Sequence, residues 1–175
     1  MTVAQGIDSS ARAVDEVLAR FGTHPLLLGA LQGDFDHIPL NDNEAGTIFL
    51  IEVLEHMDNN FMAKAFDEMR RVLKEGGHLI VTVPNEENLE AKKIACPECG
   101  CVFHRVQHMQ SFNRQSLAEM LHDHGFQVEF CKGLNFFDFS GDKLSRVTGF
   151  GRRVISIFRH SSPPHLLAIG KLHKY

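Results

Sequence analysis

The 175-residue chain has no apolar run long enough to span a membrane. Its first residues lack the basic, then apolar, then small-residue order of a secretory signal. It also lacks an excess of basic charge: 18 Lys and Arg stand against 22 Asp and Glu, a net charge of −4. General nucleic-acid binders carry a basic footprint, so no nucleic-acid partner is expected. Cysteine is scarce and clustered, with three of the four falling within six residues, which is unlike the framework of a disulfide-stapled secreted domain. The expected compartment is the cytoplasm. The length suffices for one buried core and does not call for two, so residues 1–175 read as a single domain.

What is present is organised around Gly46 to Asn85. Thr47 to Val53 is apolar and β-branched, the composition of a strand buried on both faces of a parallel sheet. Charge appears abruptly at its end, in Glu52-Val53-Leu54-Glu55-His56. Asp58 or Asn59 then caps a helix that buries Phe61, Met62, Ala65, Phe66, Met69, Val72 and Leu73. Gly76-Gly77 reads as its stop, and His78 to Val83 as the next buried strand, closed by Pro84-Asn85. This is a right-handed βαβ crossover. Ligands of such sheets bind at the carboxyl ends of the strands, where Glu52, Glu55, His56, Pro84 and Asn85 stand.

EVLEH followed by RRVLKEGGHLIVTVPN resembles the second half of a class I S-adenosylmethionine-dependent methyltransferase. The resemblance implies a Rossmann-like α/β fold, with a mostly parallel sheet and an antiparallel last strand, and S-adenosylmethionine as cofactor. It also bears on the flanking segments. Val3 to Asp8 reads as a strand, and Ser9-Ser10 cap a helix with Val14, Val17, Leu18 and Phe21 at helical spacing before Gly22. A carboxylate at this strand end takes ribose hydroxyls in dinucleotide-binding folds, and Asp8 is similar to that residue in methyltransferases. The plainer reading of Asp8 is a carboxylate favoured by the helix dipole. Pro25 to Leu31 is a third strand, and the LQGDFDHIPLNDN that follows resembles the segment in which an Asp accepts from the adenine amino group and its neighbour lies against the ring. Asp34 and Phe35 are those candidates; a turn Asp beside a core Phe is the alternative.

The chain departs from the family twice. Ala45-Gly46 stands where relatives carry a bulky apolar residue and an Asp, which is expected to loosen the strand entrance. The family's central first strand and glycine-rich loop belong ahead of Val3 and are not in this sequence. The expectation is a sheet with a missing rung, its neighbours unpaired or forced together. A fragment, a degenerate relative, or completion by another chain would each account for it.

The insert Glu86 to Gln110 carries Cys-x2-Cys and His-x3-His. Cys96, Cys99, His104 and His108 form a ligand set that suits tetrahedral zinc, with Cys101 as an alternative ligand and an unusually short span to close. A similar C-P-x-C-G-x-x-F-H-x-x-x-H insert in some bacterial methyltransferases lies beside the substrate side of the cleft. The other reading is a reduced cysteine cluster in a lid, its histidines making polar or substrate contacts.

Ser111-Phe112-Asn113 opens a helix with Leu117, Met120 and Leu121 inward, stopped by Gly125. Phe126 to Cys131 is a strand, with Cys131 in the core. Phe136, Phe137 and Phe139 read as a loop over the cleft, Leu144 to Phe158 as a basic helix, and His165 to Lys171 as the last strand. A basic, apolar helix at 144–159 can touch an anionic membrane; the plainer reading is a solvated face over core positions.

The sequence thus reads as a methyltransferase acting on a small-molecule, sugar or lipid acceptor. His56 is the best proton acceptor by chemistry, ahead of Glu52 and Glu55, though all three can instead orient the loop. The rival class is a degenerate, non-catalytic methyltransferase-like binding module, stabilised by zinc.

Overall fold

The computed structural model describes residues 3–135 and 163–174. In chain order the elements are β1 (Ala4–Asp8), α1 (Ala11–Phe21), β2 (Leu27–Gln32), β3 (Ala45–Ile51), α2 (Asn59–Val72), β4 (Leu73–Pro84), β5 (Lys93–Ala95), β6 (Val102–His104), α3 (Arg114–Asp123), β7 (Phe126–Leu134) and β8 (His165–Leu172). The fold is Rossmann-like α/β. β1 pairs in parallel with β2, and β3 with β4, while β8 lies antiparallel between β4 and β7. β5 and β6 form a separate hairpin within the insert.

Helix starts follow capping chemistry. Ser10 accepts from Ala13 N, Asp58 from Phe61 N at 2.8 Å, and Asn113 forms a reciprocal capping box with Ser116. The core is built where α2 lies against β4. Phe66, Met69 and Val72 have no exposed surface and meet Leu79, Val81 and Val83, with Leu117 and Leu121 of α3 closing the flank. The His124 ring stacks on Phe66 at 4.2 Å between centroids, and burial holds its pKa below the ordinary histidine value.

Three expectations change. α2 does not run to Gly76-Gly77: it ends at Val72, and Leu73 already begins β4. The glycines instead lie where the β3–β4 register slips between Ala45 and Thr47, with Gly76 at φ +70°. β3 is not buried on both faces, since Phe49 is 65 % and Ile51 51 % exposed. Among the described residues nothing pairs with its second edge or with that of β1, so the missing rung is seen as two open edges. α1 buries Val14 but leaves Leu18 and Phe21 exposed, because the two-stranded β1–β2 sheet is too narrow to cover that face. The Phe136, Phe137 and Phe139 loop and the 144–159 helix lie outside the described residues.

Burial predicts how stability is distributed. Phe66→Ala should cost about 3–5 kcal/mol, whereas Phe49→Ala should stay within about 0.5 kcal/mol. Urea midpoints of the two variants check this; equal losses would mean that the β3 face is covered in solution.

Candidate functional site at the strand ends

Parallel pairing brings Asp8 and Asp34 to one end of β1 and β2. Asp8 pairs with Gln32, and its carbonyl accepts from Gly33 N at 3.1 Å. Both carboxylates are exposed, and each takes a backbone N–H with one oxygen: Asp8 Oδ1 from Ser10 at 2.8 Å, Asp34 Oδ1 from Phe35 at 2.7 Å. Gly33 is required here because a Cβ would stand 2.4 Å from Pro39 Cδ, so only glycine lets the loop fold back this tightly. Arg71 on α2 holds that loop from the other side, donating to the carbonyls of Ile38 and Leu40 and to Glu68 and Asp42. The Arg71 hydrogen bond keeps the Glu68 carboxyl below its ordinary range. Phe35 is half-buried and meets Phe61, at the start of α2, edge-on at 6.5 Å. Its ring is therefore partly core, and it ties the Asp34 loop to the start of α2.

At the β3 end the chain turns sharply through Glu52, at φ +56°, a conformation uncommon for a side chain of this kind. Thr82 fixes the turn, accepting from Glu52 N through its carbonyl at 3.0 Å and its hydroxyl at 3.2 Å. Glu52 Oε2 lies 3.1 Å from His165 Nδ1, while Oε1 is buried with no partner. A 3₁₀ turn, Leu54–His56, follows. It carries Glu55 inward, 1 % exposed, with both carboxylate oxygens buried and unpartnered. Burial pushes its pKa up to about 7, and the Glu52 charge adds to the shift. His56 stays exposed at the rim.

The insert is clasped onto this turn. The Glu55 carbonyl accepts from Met109 N at 2.7 Å and Gln110 N at 3.1 Å, and Asn85 bridges to Phe112. The clasp lays His108 edge-on against His56, ring centroids 4.6 Å apart. Glu87, which sequence reasoning missed, is buried beneath it. Its carboxylate contacts His108 Nδ1 and Lys92 Nζ. Burial acts to raise the Glu87 pKa, but Lys92 and His108 outweigh it and hold the group below the ordinary carboxylate value. Only the low exposure of a Glu set between Asn85 and the cysteines marks this residue, and exposure is not visible in sequence.

The proposed zinc quartet is not assembled. Two groups of three ligand atoms lie within 4.8 Å of one another among the described residues: Glu55, His56 and His108, and Glu87, His104 and His108. Neither contains a cysteine. Cys96, Cys99 and Cys101 occupy the tip of the β5–β6 hairpin, where Cys96 N donates to the Cys101 carbonyl at 2.8 Å. His104 spends its Nδ1 lone pair on His108 N, at 3.0 Å, so its other nitrogen carries the proton and is not a ligand. The cysteines and histidines thus separate into a tip and a base.

A model of the methyltransferase domain family matches residues 2–129. The chain belongs to that family. An uncharacterized protein of Methanocaldococcus jannaschii is 43 % identical over 58 residues, or 33 % of this chain and 24 % of that protein, so the match spans well under two thirds of the relative. Among solved structures, a chain from the complex of the Haloferax volcanii Trm112 methyltransferase activator superposes with a TM-score of 0.67 at 20 % identity, covering 98 % of this chain and 73 % of that one. An S-adenosylmethionine-dependent methyltransferase from Mesorhizobium loti gives 0.67 at 14 % identity, covering 97 % and 80 %. At these identities the superpositions establish the fold. Among the described residues, the methyltransferase chain leaves one edge of β1 and one edge of β3 unpaired. A shallow cavity of about 390 Å³ on the insert, lined by Lys92, Lys93 and Arg105 among others, lies away from the strand-end carboxylates and is not the cleft.

The hairpin tip has a chemistry of its own. The Cys101 backbone, then the Cys101 and Cys96 thiols, hold the Cys99 thiol below its ordinary pKa, whereas burial raises that of Cys131, whose Sγ donates to the Arg114 carbonyl. Alkylation near neutral pH should therefore modify Cys99 first and Cys131 last. Peptide mapping after timed quenches reads the order, and early loss of Cys131 would contradict its burial on β7.

Proposed function

We propose that this chain binds S-adenosylmethionine across the ends of β1, β2 and β3 and transfers its methyl group to a small-molecule, sugar or lipid acceptor. The observation that carries this is the pair of exposed carboxylates, Asp8 and Asp34, held at adjacent strand ends with one oxygen of each on a backbone N–H. Their chemistry fits the adenosine end of the cofactor: a carboxylate accepts from two vicinal hydroxyls at once, and a second accepts from an exocyclic amine. Phe35 backs the second carboxylate and supplies apolar surface near it. When bound, the cofactor supplies a methyl group already activated on a sulfonium.

The chain's own residues then bind, orient and dry the acceptor, and alignment carries much of the rate. Glu52, Glu55 and His56 stand on the acceptor side. His56 is exposed enough to meet the acceptor directly, while the Glu55 carboxyl is buried beside it. The four free cysteines support a reducing, cytoplasmic setting.

One observation favours a second reading, a binding module that no longer transfers methyl groups. Among the described residues β1 and β3 each leave an edge unpaired, with Phe49 and Ile51 exposed beside it. The Haloferax relative's complex with an activator supports adding a partner chain as a further arm of the test.

Calorimetric titration with S-adenosylhomocysteine separates the readings. Binding in the micromolar range is expected, weakened about tenfold or more by Asp8→Ala or Asp34→Ala, since a hydrogen bond to a charged group is worth about 1.5–3 kcal/mol. No heat from folded, monodisperse wild-type protein, alone and with partner, would leave the binding module standing.

A further inference from the structure

We propose that Glu55, His56 and His108 bind one divalent first-row transition-metal ion, and that Glu87 is the positioning residue that turns His108 toward it. The ligand atoms of the three already lie within 4.8 Å of one another. Glu55 is the independent sign of a ligand: it is 1 % exposed, and neither carboxylate oxygen has a donor. Buried acidic groups are normally paired or coordinate metal ions. Glu52, close enough for its charge to act on Glu55, adds a buried, unpartnered oxygen of the same sign. The Lys92 ammonium is committed to Glu87.

The histidine chemistry selects this cluster over the other one. Glu87 holds His108 at Nδ1. A histidine whose Nδ1–H is given to a carboxylate offers its Nε2 lone pair, the carboxylate–histidine–metal arrangement in which the outer carboxylate fixes tautomer and ring orientation. His104 cannot serve, because its lone pair is taken by His108 N. It belongs to the support beneath His108, against which it stacks at 4.9 Å. Two imidazoles and one carboxylate form a mixed nitrogen and oxygen set, suited to manganese, iron, cobalt or zinc rather than to calcium. Three protein ligands leave coordination positions open. The site's use rests on the methyl-transfer reading: a bound ion would hold an acceptor hydroxyl and lower its pKa, which makes the acceptor an alcohol or phenol rather than an amine.

Cobalt(II) is the probe, titrated into the full chain and into a Cys96→Ser, Cys99→Ser double variant. One ion per chain with weak visible d–d bands is expected, and those bands should survive in the double variant, because no thiolate is a ligand. In that background His108→Ala or Glu55→Gln should abolish the bands, and Glu87→Gln should weaken binding by about 10–100-fold. Loss of all cobalt binding in the cysteine variant would place the ion in the hairpin tip and overturn the proposal. So would the absence of cobalt and manganese uptake by folded wild type, an outcome that needs no variant to fold. Homocysteine-nucleoside calorimetry fails or succeeds separately, so a lost metal site and a lost methyl-transfer reading are told apart.

Discussion

Everything in this molecule depends on the crossover from β3 through α2 to β4. Phe66, Met69 and Val72 on one helix face fill the space over β4, and that single packed interface sets the register in which β3 and β4 run parallel. Parallel register is what brings Glu52 and Asn85 to the same end. The sharp turn at Glu52 can be held in a left-handed conformation only because Thr82, on the neighbouring strand, presents both its carbonyl and its hydroxyl to one N–H. Core packing and site geometry are therefore one constraint seen from two ends.

On that base the insert works as a second layer. It leaves β4 at Asn85 and returns at Phe112, and the two points are bridged to each other, so the 25 or so residues between them close into a loop. Its return is fixed by two N–H groups on the Glu55 carbonyl. The backbone of Glu55, whose side chain is buried, thus anchors the return of the insert. The cost is a carboxylate whose pKa is pushed up to about 7 in the folded state. The His56 and His108 imidazoles lie beside it.

The N-terminal β1–α1–β2 unit stands apart. It keeps Asp8 and Asp34 at its strand ends, yet among the described residues β1 and β3 each leave one edge unpaired. Apolar side chains that a closed sheet would cover, Phe49 and Ile51 in particular, meet solvent. The loop pinned by Arg71 and the contact of Phe35 with Phe61 join the unit to the rest, and both run through α2.

Much of this was legible in the chain. The periodicity of Phe66, Met69 and Val72, the cap at Asp58 and the helix start at Asn113 are local patterns, and local patterns survive any arrangement of the rest. The glycine stop at Gly76-Gly77 misled because the same residues serve a helix end or a slipped strand register, and only the partner strand chooses between them. The cysteine–histidine spacing likewise named a zinc quartet that the hairpin divides, since spacing fixes how far two side chains can be apart but not which way each one points. What the sequence determined by itself was the fold family and the set of polar residues delivered to the strand ends. Tertiary structure alone decided that Glu55 turns inward, that Glu87 holds His108, and that His104 is spent on a backbone N–H. The Glu87–His108 contact spans 21 residues of the insert, and the Glu55 carbonyl ties the insert's return at Met109 and Gln110 to the β3 end, so both exist only once the insert has folded back.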